Sequence, residues 1–243
     1  MKPIVITTPR SGSNLFCQML GNLAKQHYGY KDNLYEVFTV IPLFKGGFIK
    51  VDGCIKSTGI ERTGVKWYES AREEKLKRLQ LFENDHNYLM KVFPSDLEPE
   101  IEDMIHNNYD CIYLERKDKV GQLLSLFGLF QTNVSHHKDN SKQINEIYYD
   151  KKITEDFIAA VAKYNRFKAS CPSKYPTVYY EDFIANGGNE LAVIQLLNLP
   201  ISVYIPEQAA TIPTPYLSNI ESLIVNKDEW LADKDTIIKA LYA

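Results

Sequence analysis

The run Pro9-Arg10-Ser11-Gly12-Ser13-Asn14 holds the residues best suited to chemistry on an anion. Arg10 carries a permanent charge whose planar fork matches the oxygens of phosphate or sulfate. The residues after it are small, so the backbone can approach an anion closely. A helix starting here adds N–H groups without intrahelical partners and the positive end of its dipole. The sum is a cradle for phosphate or sulfate. No G-x-x-x-x-G-K-[ST] is present, so it is not the usual nucleoside-triphosphate loop. No cysteine stands ahead of Arg10 within the turn, which sets aside a cysteine-phosphatase loop. The plainer alternative is a strand-to-helix turn with an incidental Arg.

The flanking elements must place that turn. Ile4, Val5 and Ile6 read as a buried parallel strand. Pro9 and Gly12 break it, and Ser11, Ser13 and Asn14 supply small polar groups and a cap. Leu15, Phe16, Met19, Leu20 and Leu23 then recur at helical spacing, ending near Tyr28-Gly29. The plan repeats further on. Asp110 to Arg116 is a strand, Lys117-Asp118-Lys119 a turn, and Val120, Leu123, Leu124 and Phe127 an apolar helical stripe. Gly121, Ser125 and Gly128 on the other face would let a ligand lie close. In a parallel sheet both turns open on one edge.

Pro9-Arg10-Ser11-Gly12-Ser13-Asn14 resembles the 5′-phosphosulfate loop of sulfotransferases that use 3′-phosphoadenosine-5′-phosphosulfate (PAPS). Within that family it is most similar to the bacterial branch that includes the trehalose sulfotransferases. The second stretch resembles the family's 3′-phosphate site, with Arg116 at the strand end and Ser125 in the helix as the implied ligands. They lie nine residues apart, one more than in the cytosolic enzymes, and Lys117 is the fallback cation. An Arg116 paired with Glu115 or Asp118 on the surface is the competing expectation. Tyr180-Glu181-Asp182 resembles the family's Tyr-Glu-Asp, which buttresses the phosphate loop, so Glu181 is given a structural role.

Lys31 to Phe38 reads as a loop returning toward the cradle. The helix carries the chain about 20 Å away, and Gly29 to Glu36 can span roughly 26 Å. Glu36 with Phe38 is similar to the Glu and Phe of the trehalose-sulfating branch, where the Glu is the catalytic base. A solvated surface glutamate is the alternative. Tyr88 to Phe93 reads as a core strand. The cytosolic enzymes place a Lys, and two residues later a catalytic His, at its end. Lys91 matches the Lys, but Phe93 stands where the His would be, which favours Glu36 as base. Lys91 is expected either to touch the transferring sulfonate or to snorkel to water. The family's C-terminal Arg-Lys-Gly loop has no counterpart.

The remainder is coarser. Ser70 to Asp85, Leu97 to Asn107, Thr154 to Cys171 and Asn189 to Asn198 read as helices, and Pro176 to Phe183 as a strand ending in Tyr-Glu-Asp. Residues 43–66 read as irregular or acceptor-side. Gln131 to Lys152, with His136-His137, reads as an acceptor-site loop. Residues 200–243 read as irregular, with order only at Ile220 to Val225 and Asp235 to Tyr242. The chain of 243 residues suits one domain. Its net charge of -3 gives no general pull toward nucleic acid or anionic membrane. Cys17, Cys54, Cys111 and Cys171 are dispersed, so no zinc is expected, and Cys17 and Cys111 read as reduced core residues. No signal peptide or spanning run is read, which favours a cytoplasmic protein.

The resemblance implies a three-layer α/β domain like the P-loop kinases, with a mostly parallel central sheet flanked by helices. It also implies a sulfotransferase moving a sulfonate from PAPS to a hydroxyl of a carbohydrate or small-molecule acceptor by in-line displacement. Arg10 and the loop would steady the leaving phosphate, Glu36 would take the proton, and no metal is needed. A kinase-like phosphotransferase and a non-catalytic adenine-nucleotide-binding protein stay open.

Overall fold

The computed structural model describes residues 2–35, 38, 72–73, 75–76, 79–80, 88–132, 146–206 and 220–243. Its strands are β1 (Pro3–Ile6), β2 (Asp32–Tyr35), β3 (Tyr88–Val92), β4 (Asp110–Glu115) and β5 (Val178–Tyr179). They form one sheet in the order β2-β3-β1-β4-β5, and every pairing is parallel. The main helices are α1 (Ser13–Tyr28), α2 (Pro99–Asn108), α3 (Lys119–Thr132) and α4 (Lys151–Ser170). They are followed by α5 (Tyr180–Ala185), α6 (Glu190–Leu197) and α7 (Lys227–Tyr242).

The two-residue period of the strands sorts their side chains onto two faces. Ile4, Ile6, Met90, Val92, Cys111 and Tyr113 pack with Ile101, Met104 and Ile105 of α2 and Tyr164 and Phe167 of α4. Val5, Leu89, Ile112, Leu114 and Val178 pack with α1 and α6. Both sheet faces are therefore covered, which is why these strands read as continuous apolar runs rather than alternating ones. A third cluster joins α3 and α7 to Phe157 and Val161 of α4. Cys17, Cys111 and Cys171 are buried free thiols.

Several expectations shift. Asp32–Tyr35 is not loop but strand, pairing with Tyr88–Lys91; the Asp-Asn start masks it, since both residues are poor strand formers. Strand β5 is only Val178–Tyr179, and Tyr180-Glu181-Asp182 opens α5. Two carboxylates suit that helix start through the dipole. Helix α4 begins at Lys151 rather than Thr154, because Asp150 caps it by accepting from Ile153 N at 2.9 Å. Helix α7 begins at Lys227 rather than Asp235, anchored by buried Trp230, Ile237 and Leu241. Residues 72–73, 75–76 and 79–80 are helical, as expected. Glu36, residues 43–66 and the histidines His136 and His137 lie outside the described residues.

Candidate functional site

The sheet order fixes where a ligand can sit. From β1 the chain runs through α1 to β2, beyond β3. From β4 it runs the opposite way to β5. The connections leaving the carboxyl ends of β1 and β4, adjacent in the sheet, thus diverge and open a crevice. The two predicted anion turns are the ones that line it.

The first turn follows directly from β1. Thr7 N donates to Val92 O at 3.1 Å, extending the ladder, and the Thr7 hydroxyl donates to the Leu114 carbonyl at 2.8 Å. Thr7 Oγ1 also lies 2.6 Å from Ser11 Oγ. Arg10 and Gly12 both take left-handed backbone, with φ 62 and 76. Gly12 is the N-cap of α1 and has no side chain with which to cap that end. This corrects the expected cap from Ser11, Ser13 or Asn14. Ser11 and Ser13 are buried, and the Asn14 side chain turns to Lys91 instead. Gly12 is required here: a Cβ on it would lie 2.1 Å from Tyr180 Cε2.

Lys91 sits on the same strand face as Leu89, the face that α1 covers. It is buried, at 2% exposure, and does not snorkel to water. Its Nζ donates to Asn14 Oδ1 at 2.6 Å and lies 5.3 Å from the centre of the Phe93 ring. The charge is thus held beneath the first turn of α1.

The second turn joins the first through side chains. Arg10 Nε donates to Ser125 Oγ at 3.0 Å, and Arg116 Nη1 donates to the Arg10 carbonyl at 3.3 Å. Arg10, Arg116 and Ser125 therefore form one cluster, with Arg10 spanning the two predicted subsites. Burial, and then the neighbouring Arg116 charge, lower the Arg10 pKa. Arg116 also lies over the Tyr180 ring and 3.7 Å from Glu181 Oε1. Of the two surface partners expected in the competing reading, Glu115 accepts from Lys168 at 2.6 Å and Asp118 from Gly121 N at 2.8 Å, while the carboxylate beside Arg116 is Glu181. The fallback Lys117 bonds Asp182 at 2.5 Å and is half exposed.

Glu181 has the structural role expected of it, but at the second turn. It accepts from Lys117 N at 3.0 Å and Asp118 N at 3.4 Å. Within the Tyr-Glu-Asp run it is Tyr180 that lies against the first turn, at Gly12. Gln122, buried on α3, donates to Thr8 Oγ1 at 2.8 Å and to the Pro9 carbonyl. Tyr180 belongs to the Tyr-Glu-Asp run that resembles the family's phosphate-loop buttress, whereas Gln122 does not stand out as a site residue in the sequence. The only signal for Gln122 is an amide beside an apolar stripe, where a buried polar group needs a partner.

Pro9 to Asn14, Lys91, Arg116 and Ser125 are thus brought together. Among the described residues no group of three His, Cys, Asp or Glu is placed to hold a metal. Among the same residues no helix is long and apolar enough to cross a membrane. Comparison of the chain with family models, curated proteins and solved structures found no match.

Proposed function

We propose that this chain is a PAPS-dependent sulfotransferase with a P-loop-kinase-like domain, cytoplasmic, acting on a hydroxyl of a carbohydrate or small-molecule acceptor. The observation that carries the proposal is the meeting of Arg10, Arg116 and Ser125 at the crevice mouth, beside an α1 start whose N-cap is Gly12. The Arg116 charge acts against that of Arg10, and an anionic ligand would add to the relief that Glu181 gives Arg116 at 3.7 Å. A donor with phosphates on both sides of its ribose would engage both adjoining turns at once.

In this proposal the N–H groups at the start of α1 and Lys91 hold the phosphosulfate. Arg10 spans toward the 3′-phosphate, which Arg116 and Ser125 bind. The acceptor oxygen attacks sulfur, the bond from sulfur to the phosphate oxygen breaks, and the charge left on that oxygen is met by Arg10 and the helix end. Glu36 takes the acceptor proton. It directly follows Tyr35, whose register partner in the sheet is Lys91.

Thermal unfolding with ligand tests the donor. Adenosine 3′,5′-bisphosphate should raise the melting temperature more than ATP with Mg²⁺, because a ligand binding only the native state stabilises it. An equal or larger shift with ATP points instead to a phosphotransferase. The base is tested by Glu36→Gln, which should cut turnover by about 10²–10⁴ at similar donor affinity. Unchanged turnover removes Glu36 from that role.

A further inference from the structure

Tyr242, in the last turn of α7, reaches back across the chain to the second turn. Its hydroxyl accepts from Lys119 N at 3.0 Å and donates to the Lys117 carbonyl at 3.1 Å. Lys119 opens α3, and Lys117 follows Arg116. The hydroxyl thus holds both ends of the turn that sets the direction of Arg116. On the other side, Glu181 holds the N–H groups of Lys117 and Asp118. Asp118 completes the turn by accepting from Gly121 N at 2.8 Å.

The helix that carries Tyr242 is firmly set. Trp230, Ile237 and Leu241 are buried in the third cluster, and Tyr149 Oη donates to Asp233 at 2.7 Å. Tyr242 itself is 53% exposed. Water can therefore replace its two hydrogen bonds at small cost to the fold. What water cannot replace is the fixed position of the turn.

We propose that Tyr242 is a positioning residue for the 3′-phosphate site, clamping Lys117–Lys119 so that Arg116 faces the ligand. This rests on the sulfotransferase proposal above. It supplies, from the end of α7, support that no Arg-Lys-Gly loop provides in this chain.

Titration calorimetry with adenosine 3′,5′-bisphosphate and with adenosine 5′-monophosphate tests it, since the two differ only in the 3′-phosphate. Tyr242→Phe should lower the preference for the bisphosphate by about three- to tenfold, with affinity for the monophosphate unchanged. Tyr149→Phe removes a hydrogen bond elsewhere along α7. It should lower the melting temperature and leave the preference as it is. A Tyr242→Phe protein with the full preference overturns the inference. So does a Tyr149→Phe protein that loses as much, because the effect would then belong to α7 as a whole. A wild-type chain without any preference for the bisphosphate overturns the sulfotransferase proposal itself, before any substitution is compared.

Discussion

The β1–α1 and β4–α3 turns share one plan, strand to short turn to helix, yet they use their backbones differently. At the first, Gly12 takes a left-handed conformation under the Tyr180 ring and, as the N-cap, brings no side chain to the helix start. At the second, the N–H groups of Lys117, Asp118, Lys119 and Gly121 are taken by Glu181, Tyr242 and Asp118. An anion at the first turn can be met by main chain. In the proposed function an anion at the second would rely mainly on the side chains of Arg116, Arg10 and Ser125. The lesson is that helix ends alike in sequence plan can differ in what they have left to offer.

The largest expected effect breaks the first turn. Gly12→Ala drives a methyl into Tyr180 at a left-handed φ, and should cost about 2–5 kcal/mol in denaturant unfolding, with loss of nucleotide binding. Gly29 is the internal control. It has a similar φ of 70 but nothing within 4 Å of its would-be Cβ, so Gly29→Ala should cost only about 1 kcal/mol. Equal costs would mean that contact with Tyr180 does not hold the turn.

Next, the side-chain character of the second turn predicts a selective loss. Arg116→Ala should weaken adenosine 3′,5′-bisphosphate by about 10- to 100-fold in calorimetry while the 5′-monophosphate changes little. Equal weakening of both ligands would place Arg116 at the first turn's anion instead. Lys91→Met separates stability from function. Replacing the ammonium by an apolar chain of similar length takes the donor from Asn14 Oδ1 and should cost only about 1–2 kcal/mol. Turnover should nevertheless fall about 100-fold; a variant that keeps its rate makes Lys91 a packing residue only.

The smallest effect concerns the support behind Tyr242. Glu221 accepts from Lys234 at 2.5 Å and Trp230 Nε1 at 2.8 Å, and these donors hold its carboxyl below the ordinary 4.5. A carboxyl depressed in the folded state stabilises it above the unfolded pKa, and that stability is lost as pH falls through the folded one. Melting temperature should therefore drop on acidification below about pH 4.5, and Glu221→Gln should flatten that slope. An unchanged acid limb in the variant would show that these contacts add nothing to the anchoring of α7.

Much of this was legible because one physical signal dominated each part. Buried parallel strands read as apolar runs, so Ile4–Ile6 and the strand through Ile112 are plain in the sequence, and helical spacing gives α1 and α3. The strand from Asp32 was hidden, since its pairing is imposed by the open edge of β3 rather than by its own residues. Lys91 was ambiguous for a related cause: only the crossing of α1 above it turns a strand-end lysine into a buried one. Gln122 and Tyr242 act across separations of more than a hundred residues, and no local pattern reports such contacts. The register of Arg116 against Arg10 was legible only as shared position on one sheet edge; that Arg116 reaches the Arg10 carbonyl while the Arg10 side chain reaches Ser125 was not.

The bonds from Gln122 to Thr8 and Pro9, and from Arg116 to the Arg10 carbonyl, cross-brace the two turns. Neither can shift far without dragging the other. A small fragment that stiffens one half of the crevice should therefore prepare the other half for its own fragment, and two partial ligands should bind together more tightly than their separate affinities foretell.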